Sequence, residues 1–325
     1  MNILITGGAG FIGSHLVAYH LAKGDTVHVV DDLSTGQVSN ISAHFQDPHF
    51  QFDEANILTW DGLKEAARWS NRIYHMAAIV GVKKVLEDPR AVMATNMAGT
   101  ERVFRAAAEV NPMTQIIVAS SSEVYGFNTK PAFVETDDIV LRSAGRLRWC
   151  YAVTKLADEF LAYSFLKKSH IKVVIVRLFN TVGPHQTGKY GMVFPNFIRQ
   201  AVHGEKVTVY GDGSQTRSFC NVDDTVRALD MLASTPAANG EIVNVGNDDE
   251  ISIGDLAKLI IERSGSTSGI EYIGYEAAYG LEFEDITHRR PVIQKLQGLT
   301  GFKPRWSLYD TIDQLIALER TTGLK

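Results

Sequence analysis

The residues of this chain best suited to chemistry begin at one short stretch, Arg148-Trp149-Cys150-Tyr151-Ala152-Val153-Thr154-Lys155. Tyr151 and Lys155 are four positions apart, so on a helix their side chains leave the same face. An ammonium beside a phenol favours the phenolate and makes the tyrosine a base nearer neutral pH. Two specified positions are a weak signal by themselves. They gain weight from a glycine-rich opening, Gly7-Gly8-Ala9-Gly10, and from a polar run, Ser120-Ser121-Ser122-Glu123.

Those three pieces need elements to position them. Residues 1–6 form an apolar run suited to a strand buried on both faces. Gly7, Gly10 and Gly13 then fall in a strand-to-helix turn, beside Phe11 and Ile12. There they permit a tight bend and a close approach of backbone to a pyrophosphate at the helix N-terminus. A second strand over 26–30 ends at Asp31, about twenty residues after the turn, where an acidic side chain grips the adenosine ribose. Asp31 and Asp32 put negative charge where a 2′-phosphate would sit, and residues 33–36 supply no arginine, so the expected cofactor is NAD rather than NADP.

The alternation continues with a strand at 50–52, followed by Asn56 and Ile57, a helix at 60–69 and a strand at 72–75. The last of these ends in Ala77 and Ala78, small enough for a cofactor to lie against the backbone, while His75 reads as a structural histidine. A helix at 89–110 carries Asn96, a strand follows at 115–119, and after a loop at 126–148 come a helix at 151–168 and a strand at 173–179. This pattern calls for an α/β fold with a doubly wound parallel sheet of the Rossmann type. Ligands of such sheets lie beyond the carboxyl ends of the strands, where Ser120–Glu123 begins.

A breaker-rich segment at 183–188 marks passage into a smaller C-terminal α/β substrate lobe, with a helix at 193–203 and a strand at 207–210. Residues 223–233 and a strand at 241–245 read as sheet-like and as a return to the first domain. A helix at 253–263, a strand at 270–272 and a helix at 308–319 complete the chain. The expected division is 1–179 with 218–250 for the cofactor, and 180–217 with 251–325 for the substrate.

The 325 residues are 45% hydrophobic and 21% charged, an ordinary balance for a soluble globular protein. A net charge of −5 carries no electrostatic footprint for nucleic acid. Two cysteines, Cys150 and Cys220, give neither a disulfide framework nor metal-ligand spacing. No basic leader precedes the first strand, and no apolar span reaches ~20 residues, so the expectation is a cytoplasmic protein without a membrane partner.

Taken in order, these motifs resemble the extended short-chain dehydrogenase/reductase family of sugar-nucleotide epimerases, dehydratases and decarboxylases. The resemblance rests on residues 6–13, Asp31-Asp32-Leu33, residues 75–78, Asn96 with Gly99-Thr100, and Ser120 to Gly126. It continues through Tyr151 with Lys155, Arg177 to Asn180 with Gly183-Pro184, and residues 210–213 with Arg217. It implies an NAD retained through the cycle, held also by Asn56, Ile57, Ala77, Ala78 and Asn96, and a nucleotide-diphosphate sugar in the second lobe. Tyr151 would take the proton of the sugar 4-hydroxyl, Lys155 would hold the nicotinamide ribose, and Ser121 would hydrogen-bond the same hydroxyl. Arg217 matches a pyrophosphate contact, and Asn180, with Val193 and Tyr210, matches substrate contacts. Members commonly pair as homodimers through the helices corresponding to 89–110 and 151–168.

Within the family, dehydratases carry an aspartate where this chain has Ser122, and a serine cannot protonate a leaving hydroxyl as a carboxylic acid can. The run Ser120 to Gly126, Arg148-Trp149, and residues 279–291 are closer to the UDP-glucuronate decarboxylase and UDP-xylose synthase branch. That resemblance assigns Arg289, with Ser122, to the substrate carboxylate and Glu123 to proton handling beside C5. The expected reaction is oxidation of UDP-glucuronate at C4 and its decarboxylation. A UDP-sugar 4-epimerase is the alternative, ahead of a 4,6-dehydratase or a non-catalytic NAD-binding module. Residues 183–192 match no single branch.

Overall fold

Ile3, Leu4 and Ile5 are all fully buried, which neighbouring strand residues achieve when both faces of their sheet are covered. In the computed structural model, which describes residues 1–279 and 286–322, they belong to β1 (Asn2–Thr6). Next come β2 (Thr26–Asp31), β3 (Phe50–Glu54), β4 (Arg72–His75), β5 (Gln115–Ser121) and β6 (Lys172–Leu178). Four short strands follow, β7 (Thr181–Val182), β8 (Val207–Tyr210), β9 (Thr216–Ser218) and β10 (Cys220–Asn221), and then β11 (Ile242–Val245). The main sheet runs β11-β6-β5-β4-β1-β2-β3 with every pair parallel. Strand order reverses between β1 and β4, and that switch point opens a crevice at the carboxyl ends.

The helices are α1 (Phe11–Ala22), α2 (Leu63–Trp69), α3 (Val82–Glu87), α4 (Pro89–Val110), α5 (Cys150–Lys168) and α6 (Val193–Val202). After them come α7 (Val222–Ala233), α8 (Ile253–Ser264), α9 (Tyr275–Tyr279), α10 (Gln294–Thr300) and α11 (Leu308–Thr322). Ile3 and Ile5 pack with Leu16 of α1 and Val226 and Leu229 of α7 on one face of the sheet. Leu4 packs with Leu63 of α2 and Val103 and Phe104 of α4 on the other. Sequence chemistry starts α4 where the pattern requires it: Asp88 accepts a hydrogen bond from the Ala91 amide, and Pro89 occupies the first turn. Among the described residues no helix is long and apolar enough to cross a membrane.

The second lobe has its own core, built from Phe194 and Phe197 of α6, Val207 and Val209 of β8, Leu256 and Ile260 of α8, and Ile312 of α11. Its sheets are small. β9 pairs with β12 (Glu250–Ser252) and β14 (His288–Arg289), and β8 pairs with β13 (Ile270–Ile273). Residues 280–285, part of the C-terminal match to the decarboxylase branch, lie outside the described residues.

Two expectations are corrected. Residues 223–233 are not sheet-like but form α7: Asn221 caps the Asp223 amide, two aspartates occupy the first turn, and Val222, Val226, Leu229 and Ala233 recur at helical spacing toward the sheet. The segment 251–325 is not all second lobe either. Leu296 and Phe302 sit in the core beneath the main sheet, and Lys295 donates to the Ile242 carbonyl of β11.

Candidate active site

A single cleft of about 480 Å³ runs from the carboxyl ends of β1, β4 and β5 into the second lobe, a size suited to a small-molecule ligand. Its floor is the turn between β1 and α1. A Cβ on Gly13 would stand 2.1 Å from the Gly7 carbonyl oxygen, and one on Gly7, at φ +72°, would stand 2.7 Å from the Ala77 amide nitrogen. The turn closes this tightly only with glycine at both places. At Gly10 an added Cβ would meet Gly7 alone, at 3.2 Å, and would otherwise enter the open cleft. No side chain caps α1 and no acidic residue lies in its first turn, so its leading amides face the cleft free for an anion.

The cofactor expectations map onto this floor. Gly7, Gly10, Phe11, Ile12 and Gly13 line it, with Asp31, Asp32, Asn56 and Ile57 on one side and Ala77 and Ala78 on the other. Asp31 is nearly buried and accepts from the amides of Ala9 and Leu33, both at 2.9 Å, so it also ties β2 to the glycine turn. Burial raises the Asp31 carboxyl, and those amides oppose the rise. Asp32 accepts from Ser34 N at 3.0 Å and from Asn56 Nδ2 at 2.8 Å. Two carboxylates, with Ser34 and Thr35 beside them, fit ribose hydroxyls and disfavour a 2′-phosphate. The residues present therefore fit NAD. Asn96 is the exception. Its amide is committed to Ile79 N at 2.8 Å, Ile79 O and Thr154 Oγ1, so it fastens the segment after β4 to the helices instead of lining the cleft.

Over that floor, Ser121 ends β5, and Tyr151 and Lys155 open α5 on one face. The Ser121 hydroxyl hydrogen-bonds Tyr151 and accepts from the Glu123 amide at 3.2 Å. Contrary to the simple expectation of a phenolate, the Tyr151 phenol is raised. Burial dominates, Glu123 and Asp158 add to it, and Lys155 offsets part of it. Lys155 is itself tied to Asp158 Oδ2 at 3.0 Å. His75 has the structural place expected of it, between Thr6 Oγ1 at 2.7 Å and Thr100 Oγ1 at 3.0 Å.

The substrate end is built from charge. Glu123 receives Arg148 Nη1 at 3.0 Å and Arg289 Nη2 at 2.6 Å. Burial alone would raise its carboxyl, but Arg148, then Arg289 and Arg217, hold it down at about 2. Glu123 is thus a carboxylate throughout the physiological range and can accept a proton. Arg289 and Arg217 are register partners on β14 and β9. Ser122, Asn180, Val193, Tyr210, Arg217 and Arg289 all line this end of the cleft. Asn180 donates to the Ser218 carbonyl at 3.0 Å, and Arg217 to the Thr216 carbonyl at 2.7 Å. Sequence reading assigned no role to Arg148 or Asp158. Arg148 meets Glu123 across 25 residues of chain, and no spacing rule reports that contact.

A sequence model of the NAD dependent epimerase/dehydratase family matches residues 3–246. The chain is 38% identical over 307 residues to a UDP-N-acetyl-alpha-D-glucosaminuronate decarboxylase of Bacillus cytotoxicus, covering 94% of this chain and 93% of the relative. It is 35% identical over 312 residues to UDP-glucuronic acid decarboxylase 2 of Arabidopsis thaliana, covering 95% of this chain and 66% of that one. Among solved structures, a tyrosine-to-phenylalanine variant of UDP-glucuronic acid 4-epimerase from Bacillus cereus, in complex with UDP-4-deoxy-4-fluoro-glucuronic acid and NAD, superposes with a TM-score of 0.89. It is 28% identical and the match covers 99% of this chain and 100% of that one.

Proposed function

Since the chain belongs to the NAD-dependent epimerase/dehydratase family of sugar-nucleotide enzymes, we propose that it oxidises a UDP-hexuronate at C4 and decarboxylates it to a UDP-pentose or its 4-keto form. The observation that carries this reading is the pair of arginines closed on Glu123 at the substrate end of the cleft. The charge of Arg217 acts on the same carboxylate. Guanidinium groups gathered at this end, each able to fork onto anionic oxygens, suit a substrate that brings both a diphosphate and a carboxylate.

In this reading Tyr151 accepts the proton of the sugar 4-hydroxyl, and Ser121 holds that hydroxyl in line. Lys155 binds the nicotinamide ribose and supplies the charge that offsets the burial of Tyr151. NAD, when bound, supplies the acceptor for the C4 hydride and a positive ring. Asn180, Val193 and Tyr210 cradle the nucleotide-sugar, and Arg217 meets the pyrophosphate. The C4 ketone makes the C5 carboxylate a β-keto acid, which loses carbon dioxide. Arg289, with Ser122, orients that carboxylate by exchanging part of its contact with Glu123, and Glu123 stays anchored by Arg148. Ser122 offers no acid to expel a C6 hydroxyl, so dehydration is disfavoured.

A second reading is a UDP-glucuronate 4-epimerase, favoured by the close superposition on such an enzyme. It needs the same carboxylate recognition but retains C6. We further propose a cytoplasmic homodimer through α4 and α5, since Met93, Val153 and Phe160 leave an apolar face exposed there, Phe160 by 69%. Product mass spectrometry on UDP-glucuronate, its 2-acetamido analogue and UDP-glucose tests the function. The uronates should lose about 44 mass units (one carbon dioxide) if the UDP-pentose is released, or about 46 (carbon dioxide and two hydrogens, with NAD reduced) if its 4-keto form is, and Arg289→Ala should lower that activity ~100-fold, the scale of one charge-assisted contact. Turnover of UDP-glucose alone would overturn the reading.

A further inference from the structure

The proposed chemistry leaves a buried charge beside Lys155 without a task. Asp158 lies on α5 three residues after Lys155, with its side chain 0% exposed. One oxygen, Oδ2, accepts from Lys155 Nζ at 3.0 Å, and the other, Oδ1, has no hydrogen-bond partner among the described residues. A carboxylate removed from water with an idle oxygen is costly, and such a group in a native fold calls for an explanation.

The other charged and titratable groups around the pair are already committed. On the same helix, Glu159 accepts from Arg177 at 2.9 and 2.8 Å and from Ser120 at 2.6 Å. Beyond β5, Glu123 is held by Arg148 and Arg289. From β4, His75 sits between Thr6 and Thr100, and burial together with the charge of Lys155 holds it neutral, at about 3. From α4, the Thr100 hydroxyl, hydrogen-bonded to His75, eases the burial of the Asp158 carboxylate. Each carboxylate near Tyr151 thus has its own cation, and the cation of Asp158 is Lys155.

We propose that Asp158 is a positioning residue, the dedicated counter-ion that keeps Lys155 charged and oriented for NAD and sets the pH at which Tyr151 becomes a base. An ammonium has three N–H donors. Asp158 takes one and leaves two for the cleft that Lys155 lines. Burial works against the charge on Lys155, and Asp158 foremost, with Tyr151 and Glu159, more than restores it. The same carboxylate works against the Tyr151 phenolate. Asp158 therefore trades some basicity of the Tyr151–Lys155 pair for a cation that survives burial.

This inference rests on the Tyr151–Lys155 roles proposed above. Its test is Asp158→Asn, which keeps shape and an acceptor oxygen but removes the charge. In the NAD-loaded enzyme the rise of kcat/KM with pH should move to lower pH by about one unit, and NAD binding, measured by calorimetry above pH 9, should weaken ~10-fold as Lys155 loses its proton more readily. An unchanged pH midpoint together with unchanged NAD affinity would overturn the proposal. If Asp158→Asn does not fold, thermal melting of Lys155→Met against Lys155→Met/Asp158→Asn decides it. The double variant, with no unpaired buried charge, should melt higher, and an equal or lower melting temperature would overturn the pairing. That melting comparison needs no turnover, so a wild-type protein inert toward every UDP-sugar would remove the functional reading while leaving the pairing to be decided separately.

Discussion

The two ends of the cleft are built by different means. At the cofactor end the floor is backbone, flanked by the carboxylates of Asp31 and Asp32: a glycine turn in which an added Cβ on Gly13 would lie 2.1 Å from a carbonyl, and a helix start with uncapped amides. At the substrate end they are charged side chains drawn from three separate places, Glu123, Arg148 and Arg289. Backbone recognition tolerates few residue types at fixed spacing. Side-chain recognition tolerates any spacing that the fold brings together. The first is legible as a motif and the second is a constellation, and so the family is easier to identify than the reaction.

The largest effect should come where the two ends meet. Tyr151→Phe should lower kcat ~10³-fold, the scale of a lost general base, while calorimetry finds UDP-sugar affinity nearly intact. A variant retaining more than a few per cent of activity (~1–2 kcal/mol of lost stabilisation) would place the base elsewhere.

At the substrate end, Glu123 links charge to stability. Its carboxyl titrates at about 2 in the folded chain against 4.5 for an ordinary glutamate, so its contribution is complete above pH 4.5 and lost as the pH falls toward 2. The scale is about 3 kcal/mol. Urea unfolding of wild type against Glu123→Gln should show a gap in stability that narrows across that window. A gap independent of pH would mean that the arginines do not hold the carboxylate.

The cofactor end should fail through shape instead. Gly13→Ala should weaken NAD binding ~100-fold and lower the melting temperature, because a side chain there is forced into backbone. Gly10→Ala, whose Cβ points toward open cleft, should fold normally and lose only NAD affinity. Equal melting of the two variants would erase the distinction drawn between turn closure and ligand approach. The smallest effect expected is that of Arg148→Lys, ~10-fold in kcat/KM for a UDP-uronate, since Lys keeps the charge but not the fork. Its NAD affinity should not change, and a matching loss there would show that the two ends are not separate.

Legibility followed the same divide. Most of the strands and helices through residue 178 could be read because buried parallel strands are continuously apolar and most are followed by a helix, although the short α3 went unread. The glycines, Asp31, Tyr151 and Lys155 could be read because their geometry is local. Helix α7 was not, since its buried residues are interleaved with Asp224, Thr225 and Asp230, which are buried too and blur the periodicity. Asn96 was placed near the cofactor because the motif containing it is, although its amide turns to Ile79 and Thr154. The low titration of Glu123 and the tie of Lys155 to Asp158 depend on burial and on partners that no spacing reveals.

The central claim is that this cleft oxidises C4 of a UDP-uronate in order to release C6. It is tested most directly with UDP-glucuronate carrying ¹³C at C6, incubated with the NAD-loaded enzyme, with gas and nucleotide-sugar products measured together. Labelled carbon dioxide should appear in step with an unlabelled UDP-pentose or its 4-keto form. Labelled UDP-galacturonate, with no carbon dioxide released, would contradict it and assign the cleft to epimerisation.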